Sequence, residues 1–139
     1  MCEATANATT WRMRVLVVED NAKAAQALGC LLRETGHEVE LAPDGVTGLR
    51  AAEDNPPDVV LLDIGLPGLG GWELATKIQE LPADKRPLLV AVTGCDQEED
   101  RRRSREVGID LHLTKPVDAD QLQQLLDRFR SFISPVEER

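Results

Sequence analysis

Residues 59–74 read VVLLDIGLPGLGGWEL: a four-residue apolar run ends in an aspartate, and a glycine-rich loop follows. A short, unbroken apolar run that stops at turn residues is typical of a strand buried on both faces. Similar runs recur along the chain, separated by amphipathic stretches with the spacing of helices. The predicted strands are VLVV (15–18), EVEL (38–41), VVLL (59–62), LLVAV (88–92) and DLHL (110–113).

The alternation of strands and helices predicts an α/β fold with a doubly wound, five-stranded parallel sheet covered by helices on both faces, a three-layer sandwich. The first, third and fourth predicted strands are wholly apolar, as expected of central strands, whereas the second and fifth alternate polar and apolar residues. Alternation suits the edges of a sheet, where one face is solvated. The pattern therefore favours the strand order 2-1-3-4-5 over the order 3-2-1-4-5.

Length and composition limit the class of protein. A chain of 139 residues has room for one ordinary domain, and we expect a loose N-terminal arm over 1–12, a domain over 13–133 and a short tail over 134–139. The net charge of -9 argues against direct nucleic-acid binding, because DNA affinity depends on neutralising phosphates. No apolar run is long enough for membrane insertion. The three cysteines lack metal-ligand spacing, which predicts reduced thiols and a cytoplasmic location.

Residues suited to catalysis or ligand binding follow four of the five predicted strands. In a doubly wound sheet, ligands bind beyond the carboxyl ends of the strands where the winding reverses, so we expect these residues to share one crevice. In strand order they are Glu19 with Asp20, Asp63, Thr93 with Gly94, and Lys115 with Pro116. Each alone is explained as a helix cap or turn residue, but the ordered set is not. Three neighbouring carboxylates repel one another without a cation, and oxygen ligands favour Mg²⁺.

The segments VLVVEDN, VVLLDIGLPGLGGWEL, LLVAVTG and LTKP, in this order, resemble the four motif blocks of the response-regulator receiver domain of two-component signalling. The resemblance spans roughly residues 13–133 and implies a flavodoxin-like (βα)₅ fold. It also implies that the domain accepts a phosphoryl group from the phosphohistidine of a sensor histidine kinase or a histidine phosphotransfer protein. Asp63 is then the phospho-acceptor, and Glu19, Asp20, Asp63 and the backbone carbonyl of Gly65 hold Mg²⁺.

The same resemblance implies how the phosphoryl group is received and signalled. Thr93 hydrogen-bonds a phosphoryl oxygen, Lys115 pairs with the phosphoryl group, and the peptide bond between Lys115 and Pro116 is cis. Gly94, which has no side chain in the way, offers its backbone N–H to the phosphoryl group. Thr93 then moves inward and reshapes the face formed by the fourth helix, fifth strand and fifth helix, on which a downstream protein docks.

His112 departs from the common pattern of the family. It stands where receivers usually carry Tyr or Phe as a rotameric switch. A histidine is less apolar than these residues and can be protonated near neutrality. Two interpretations stay open, a switch residue and a partly exposed edge-strand residue without a pH role.

Other classes fit the sequence less well. A phosphohydrolase of the haloacid-dehalogenase type requires a second Asp two residues after the first, where this chain has Gly65. A flavodoxin places a Ser/Thr-rich loop after the first strand, and a dinucleotide enzyme places GxGxxG there, whereas this chain has EDNAKAA. We therefore expect a signalling phospho-acceptor that assists its own phosphorylation and dephosphorylation, and not an enzyme. The alternative is a receiver-like interaction module that works without phosphorylation.

Overall fold

A computed structural model describes residues 13–65, 68, 70–82, 86–94 and 98–133. The predicted arm over 1–12 and tail over 134–139 lie outside the described residues. Strands and helices alternate along the chain, each strand being followed by a helix. In chain order they are β1 Arg14–Val18, α1 Ala22–Glu34, β2 Glu38–Ala42, α2 Gly45–Asp54, β3 Val59–Asp63, α3 Gly71–Gln79, β4 Leu88–Thr93, α4 Glu98–Glu106, β5 Leu111–Thr114 and α5 Ala119–Ile133.

The five strands form one parallel sheet in the order β2-β1-β3-β4-β5. This confirms the predicted fold class and strand order, with strand ends within one residue of the predicted bounds. The strands with alternating polarity, β2 and β5, are the sheet edges. All five residues of β3 are buried, because helices cover both faces of the sheet at this central position.

Alternate residues of each central strand feed two separate apolar cores. Val60 and Leu62 of β3 pack on the face covered by α2 and α3. Val59 and Leu61 pack on the opposite face, against α1 and α5. A strand side chain points to the opposite face from its neighbour, so a continuous apolar run anchors helices on both faces at once. The carboxyl end of β3 is thereby held firmly where the chain continues into the loop after Asp63.

Helix α4 differs from the other helices in its composition. Its sequence, EEDRRRSRE, contains no apolar residue. Ser104 is 1% exposed, whereas the four arginines of the helix are all exposed. Apolar packing begins only after the helix, at Val107 and Ile109, which join the core on the α2 and α3 face. Hydrophobic burial therefore contributes little to holding α4 itself against the sheet.

No helix in the described part of the chain combines the length and apolar character needed to cross a membrane.

Candidate functional site

The predicted site residues lie at the carboxyl edge of the sheet. Glu19 directly follows β1, Asp63 ends β3, Thr93 ends β4 and Lys115 directly follows β5. The backbone continues to hold these positions beyond the regular strands. The N–H of Glu19 donates to the carbonyl of Ala42 at 3.0 Å, and the N–H of Lys115 donates to the carbonyl of Thr93 at 2.8 Å.

Three carboxylates meet at this edge. Carboxylate oxygens of Glu19, Asp20 and Asp63 all lie within 4.8 Å of one another. Glu19 and Asp63 are buried, at 4% and 8% exposure, whereas Asp20 is exposed. The cluster therefore has two fixed, desolvated carboxylates and one that opens to solvent, a donor set suited to a hard divalent cation.

Lys115 places one positive charge against the three carboxylates. Its Nζ lies 3.2 Å from Oδ2 of Asp63 and 3.3 Å from Oε1 of Glu19. A single ammonium group neutralises one of three ionised carboxylates, so two negative charges remain. A divalent cation carries the charge that would balance them.

Burial and neighbouring groups together shift the pKa values of Glu19 and Lys115. Burial raises the pKa of the Glu19 carboxyl above its ordinary value, and the negative charge of Asp63 adds to this effect. The backbone N–H of Asn21, which donates to Oε2 of Glu19 at 3.0 Å, opposes it. For Lys115, burial lowers the pKa, but the hydrogen bonds and charges of Asp63 and Glu19 together outweigh burial, and the net pKa is raised. Lys115 therefore stays protonated at neutral pH.

Both oxygens of the Asp63 carboxylate have defined partners. The N–H of Gly65 donates to Oδ1 at 2.9 Å, while Oδ2 faces Lys115. The turn that follows β3 thus orients the carboxylate from its own backbone. The structure gives Gly65 this amide contact, and the predicted role of its carbonyl as a metal ligand stays a prediction.

The remaining predicted residues of the edge surround this carboxylate cluster. Thr93 is 5% exposed at the end of β4. Gly94, the next residue, is exposed, and a Cβ added to it would meet no other described residue within 4 Å. The Lys115–Pro116 peptide bond is cis. None of the residues that the structure describes therefore blocks the backbone of Gly94 from a ligand that enters the crevice.

His112 lies apart from the carboxylates. It is half-buried on β5, and its Nε2 lies 2.7 Å from Oγ of Ser104 on α4. The same Oγ accepts a hydrogen bond of 2.9 Å from the indole N–H of Trp72 on α3. The histidine is therefore connected to two other elements, which neither sequence interpretation anticipated.

Gly71 is a site residue that the sequence interpretation missed. A Cβ at this position would lie 2.8 Å from both the carbonyl oxygen of Asp63 and the Cα of Ile64. Only glycine lets the first turn of α3 approach the backbone of the phospho-acceptor candidate so closely. The paired glycines at the start of the helix, Gly70 before its first residue and Gly71 as that residue, were the available signal.

The family of the chain follows from its sequence profile. The profile of the response regulator receiver domain matches residues 15–127. The chain belongs to this family. The matched range includes all four motif blocks of the sequence, from VLVVEDN at 15–21 to LTKP at 113–116.

Among curated relatives, the chain is 33% identical over 114 residues to Protein PilH of Pseudomonas aeruginosa, covering 82% of this chain and 94% of PilH. Other relatives are much longer. The chain matches 15% of the length of the gliding motility regulatory protein of Myxococcus xanthus, at 34% identity over 84% of its own residues.

Solved receiver structures share the fold. CheY4, a chemotaxis protein of Vibrio cholerae, superimposes with a TM-score of 0.81 and 27% identity, covering 86% of this chain and 99% of that one. The receiver domain of the sensor histidine kinase PA1611 of Pseudomonas aeruginosa superimposes with a TM-score of 0.78 and 30% identity, covering 86% and 98%. That structure holds a magnesium ion coordinated in the active-site cleft.

Proposed function

We propose that this chain is a phospho-accepting receiver of a two-component or phosphorelay system, in which Asp63 accepts a phosphoryl group in a Mg²⁺-dependent reaction. The observation that carries the proposal is the cluster of Glu19, Asp20 and Asp63, whose carboxylate oxygens lie within 4.8 Å of one another. Lys115 offsets one of these charges. Without a second source of positive charge, repulsion among these carboxylates opposes folding of the cluster.

The donor in this proposal is a phosphohistidine on a sensor histidine kinase or a histidine phosphotransfer protein. A carboxylate oxygen of Asp63 forms the new O–P bond while the N–P bond breaks, and the imidazole nitrogen keeps the electron pair of that bond. Asp63 attacks as a carboxylate, through an oxygen lone pair, and so needs no general base to remove a proton. The contacts from Gly65 and Lys115 hold the nucleophile in one orientation before the donor arrives.

Charge neutralisation is the main contribution of the surrounding residues, because phosphoryl transfer requires positioning and electrostatic stabilisation more than covalent assistance. Lys115 supplies a permanent positive charge beside Asp63. Thr93 offers a hydroxyl, and Gly94 offers a backbone N–H, to phosphoryl oxygens. The protein acts as a signalling phospho-acceptor that assists its own phosphorylation and dephosphorylation, and not as an enzyme with an external substrate.

Glu19, Asp20, Asp63 and the carbonyl of Gly65 are the groups we assign to Mg²⁺. The oxygen donors fit this ion, which takes one or a few carboxylates and completes its octahedron with water and phosphate oxygens. When bound, Mg²⁺ would neutralise the charge that develops on the phosphoryl oxygens. The magnesium ion in the cleft of the PA1611 receiver supports this assignment.

The output of the switch is a change on the face formed by α4, β5 and α5. Thr93 moves toward the phosphoryl group, His112 follows as the switch residue of β5, and a downstream protein docks on the altered face. We expect this signalling in the cytoplasm, without direct binding to nucleic acid and without insertion into a membrane.

Intact-mass spectrometry after incubation with acetyl phosphate tests the proposal. We expect one phosphoryl adduct that requires Mg²⁺ and is absent from Asp63→Asn. Asp54→Asn is the matched control, because Asp54 is an exposed aspartate at the end of α2, and this variant should be phosphorylated like the wild type.

Rapid loss of the phosphoryl group could hide the adduct, so beryllofluoride, a stable phosphoryl mimic, is used in parallel. Binding of beryllofluoride with Mg²⁺ to the wild type but not to Asp63→Asn supports the proposal. Absence of both the adduct and beryllofluoride binding overturns it and favours the alternative, a receiver-like interaction module that works without phosphorylation.

A further inference from the structure

Three side chains from three different elements meet at a buried hydroxyl. Oγ of Ser104 on α4 lies 2.9 Å from the indole nitrogen of Trp72 on α3 and 2.7 Å from Nε2 of His112 on β5. Ser104 is 1% exposed. A hydroxyl has one proton and two lone pairs, so Ser104 can accept from Trp72 and also pair with His112 in either tautomer. We name this arrangement of Trp72, Ser104 and His112 the serine latch.

Through the serine latch, the buried side chain of α4 is bonded to α3 and to β5. The helix has no apolar residue, and Arg103 reaches across to place its guanidinium 4.5 Å from the centre of the Trp72 ring. At the carboxyl end, Gln79 donates to the carbonyl of Val107 and Arg86 donates to that of Gly108. Specific polar contacts, and not a broad apolar interface, therefore set the position of α4.

Trp72 connects the serine latch to Asp63 through the first turn of α3. Trp72 follows Gly71, whose Cα has no room for a Cβ because the carbonyl of Asp63 and the Cα of Ile64 are too close. Backbone contact of this kind transmits displacement, since close-packed atoms cannot absorb it. A shift of the Asp63 loop therefore moves the start of α3 and the indole with it.

His112 connects the serine latch to the same aspartate through β5. His112 stands three residues before Lys115, which contacts Asp63. β5 has four residues and pairs on one side only, with β4, placing His112 beside Ala91 and Thr114 beside Thr93. An edge strand with one neighbour resists displacement less than a central strand, so movement of Lys115 changes where His112 meets Ser104.

We propose that the serine latch holds α4 in its resting position and that it opens when Asp63 is phosphorylated, making Ser104 and Trp72 positioning residues of the switch. The inference rests on the proposed function for its trigger, but the latch itself does not depend on phosphorylation. Because a closed latch opposes the active arrangement, variants that remove it bind a phosphoryl mimic more tightly.

Tryptophan fluorescence tests whether the latch exists in the resting protein. The chain has two tryptophans and no tyrosine, so Trp11→Phe leaves Trp72 as the reporter. In this background, Ser104→Ala should change the wavelength of the Trp72 emission, because indole emission depends on the hydrogen bond of the N–H, and this variant removes its partner. The control is Thr76→Val, which removes an exposed hydroxyl bonded to the backbone carbonyl of Trp72. Identical emission in Ser104→Ala and its parent overturns the latch.

Calorimetric titration with beryllofluoride and Mg²⁺ tests the coupling. His112→Phe should bind about fivefold more tightly than the parent, the factor expected for one lost hydrogen bond, and Ser104→Ala, which loses both bonds of the latch, should bind at least as tightly as His112→Phe. The double variant should bind no more tightly than Ser104→Ala, because Ser104→Ala has already lost the contact with His112. Parent-like affinity in Ser104→Ala, or additive effects in the double variant, overturns the coupling.

The fluorescence and titration experiments test the latch and the proposed function separately. If beryllofluoride fails to bind to the parent, the proposed function and the coupling both fail, while the emission of Trp72 still decides whether the latch exists. Circular dichroism and urea denaturation of each variant identify loss of folding. If Ser104→Ala unfolds, His112→Phe is used in both the fluorescence and the titration experiments. A changed Trp72 emission and tighter binding then support the latch, and parent-like values overturn it.

Discussion

Glu19 is the carboxylate of the acidic cluster whose pKa is raised by its surroundings. Its carboxyl is 4% exposed and lies beside Asp63, and burial is the first cause of its raised pKa, followed by the charge of Asp63. A carboxyl whose pKa is raised on folding favours the folded state most when it is protonated, at low pH, and loses that contribution as the pH rises through its folded-state pKa. Ionised Glu19 is therefore a source of instability at neutral pH in the absence of a cation.

Glu19→Gln imitates the protonated carboxyl and should stabilise the Mg²⁺-free protein. We expect a larger free energy of unfolding than that of the wild type at pH 8, with a difference that shrinks as the pH falls through the raised pKa of Glu19. Urea denaturation at several pH values measures it. Glu53→Gln, which changes an exposed glutamate on α2, is the control. A difference of the same size at low and high pH would contradict the assignment.

At the scale of the elements, the approach of α3 to β3 depends on a single missing side chain. The atoms that a Cβ at Gly71 would meet, 2.8 Å away, belong to the backbone of Asp63 and Ile64. Backbone cannot turn aside as a side-chain end can. The first turn of α3 must therefore move if this glycine is replaced.

Gly71→Ala should lower the free energy of unfolding by about 1–3 kcal/mol, the usual cost of overpacking a tight contact. Gly70→Ala is the matched control, because a Cβ at Gly70 would meet no atom of the described residues within 4 Å and its φ of -73° suits any residue. Urea denaturation of the two variants gives the comparison. Equal stability of the two variants would show that α3 adjusts freely.

At the scale of the whole molecule, the net charge of -9 and the acidic cluster together predict stabilisation by Mg²⁺. A ligand that binds only the folded state adds about 2.7 kcal/mol at one hundred times its dissociation constant. Thermal unfolding in MgCl₂, compared with NaCl of equal ionic strength, separates site binding from screening. We expect the difference to be lost in Asp63→Asn and retained in Asp54→Asn. An equal rise of the melting temperature in both salts would contradict a specific site.

Hydrophobic patterning was sufficient to predict the architecture. Val59–Leu62 shows burial on both faces through its continuous apolar run, and β2 shows its edge position through alternation, because both patterns record contact with solvent directly. The convergence of Glu19, Asp63 and Lys115 followed from topology, since parallel strands end together.

Contacts between distant polar side chains could not be predicted in this way. Ser104 lies in a helix of charged residues, where no apolar periodicity indicates which face is buried. Its bonds to Trp72 and His112 join positions 32 and 8 residues away, and such pairing depends on side-chain geometry that a single sequence does not encode visibly. The close approach at Gly71 was missed for the same reason, because glycine also serves ordinary turns.

The absence of apolar residues from α4 has a consequence for how the domain opens in solution. Backbone amides exchange with deuterium through local openings, whose free energy depends on the apolar contacts that the opening disrupts. α4 can open by giving up a few polar contacts, whereas opening of β3 requires the loss of both cores. The amides of Arg102–Glu106 should therefore exchange faster than those of Val59–Leu62. Binding of beryllofluoride should change the exchange rate of the α4 amides, whereas exchange of the β3 amides should remain limited by global unfolding. Hydrogen–deuterium exchange read by mass spectrometry measures both segments in one experiment, and equal protection of the two would contradict a separately opening α4.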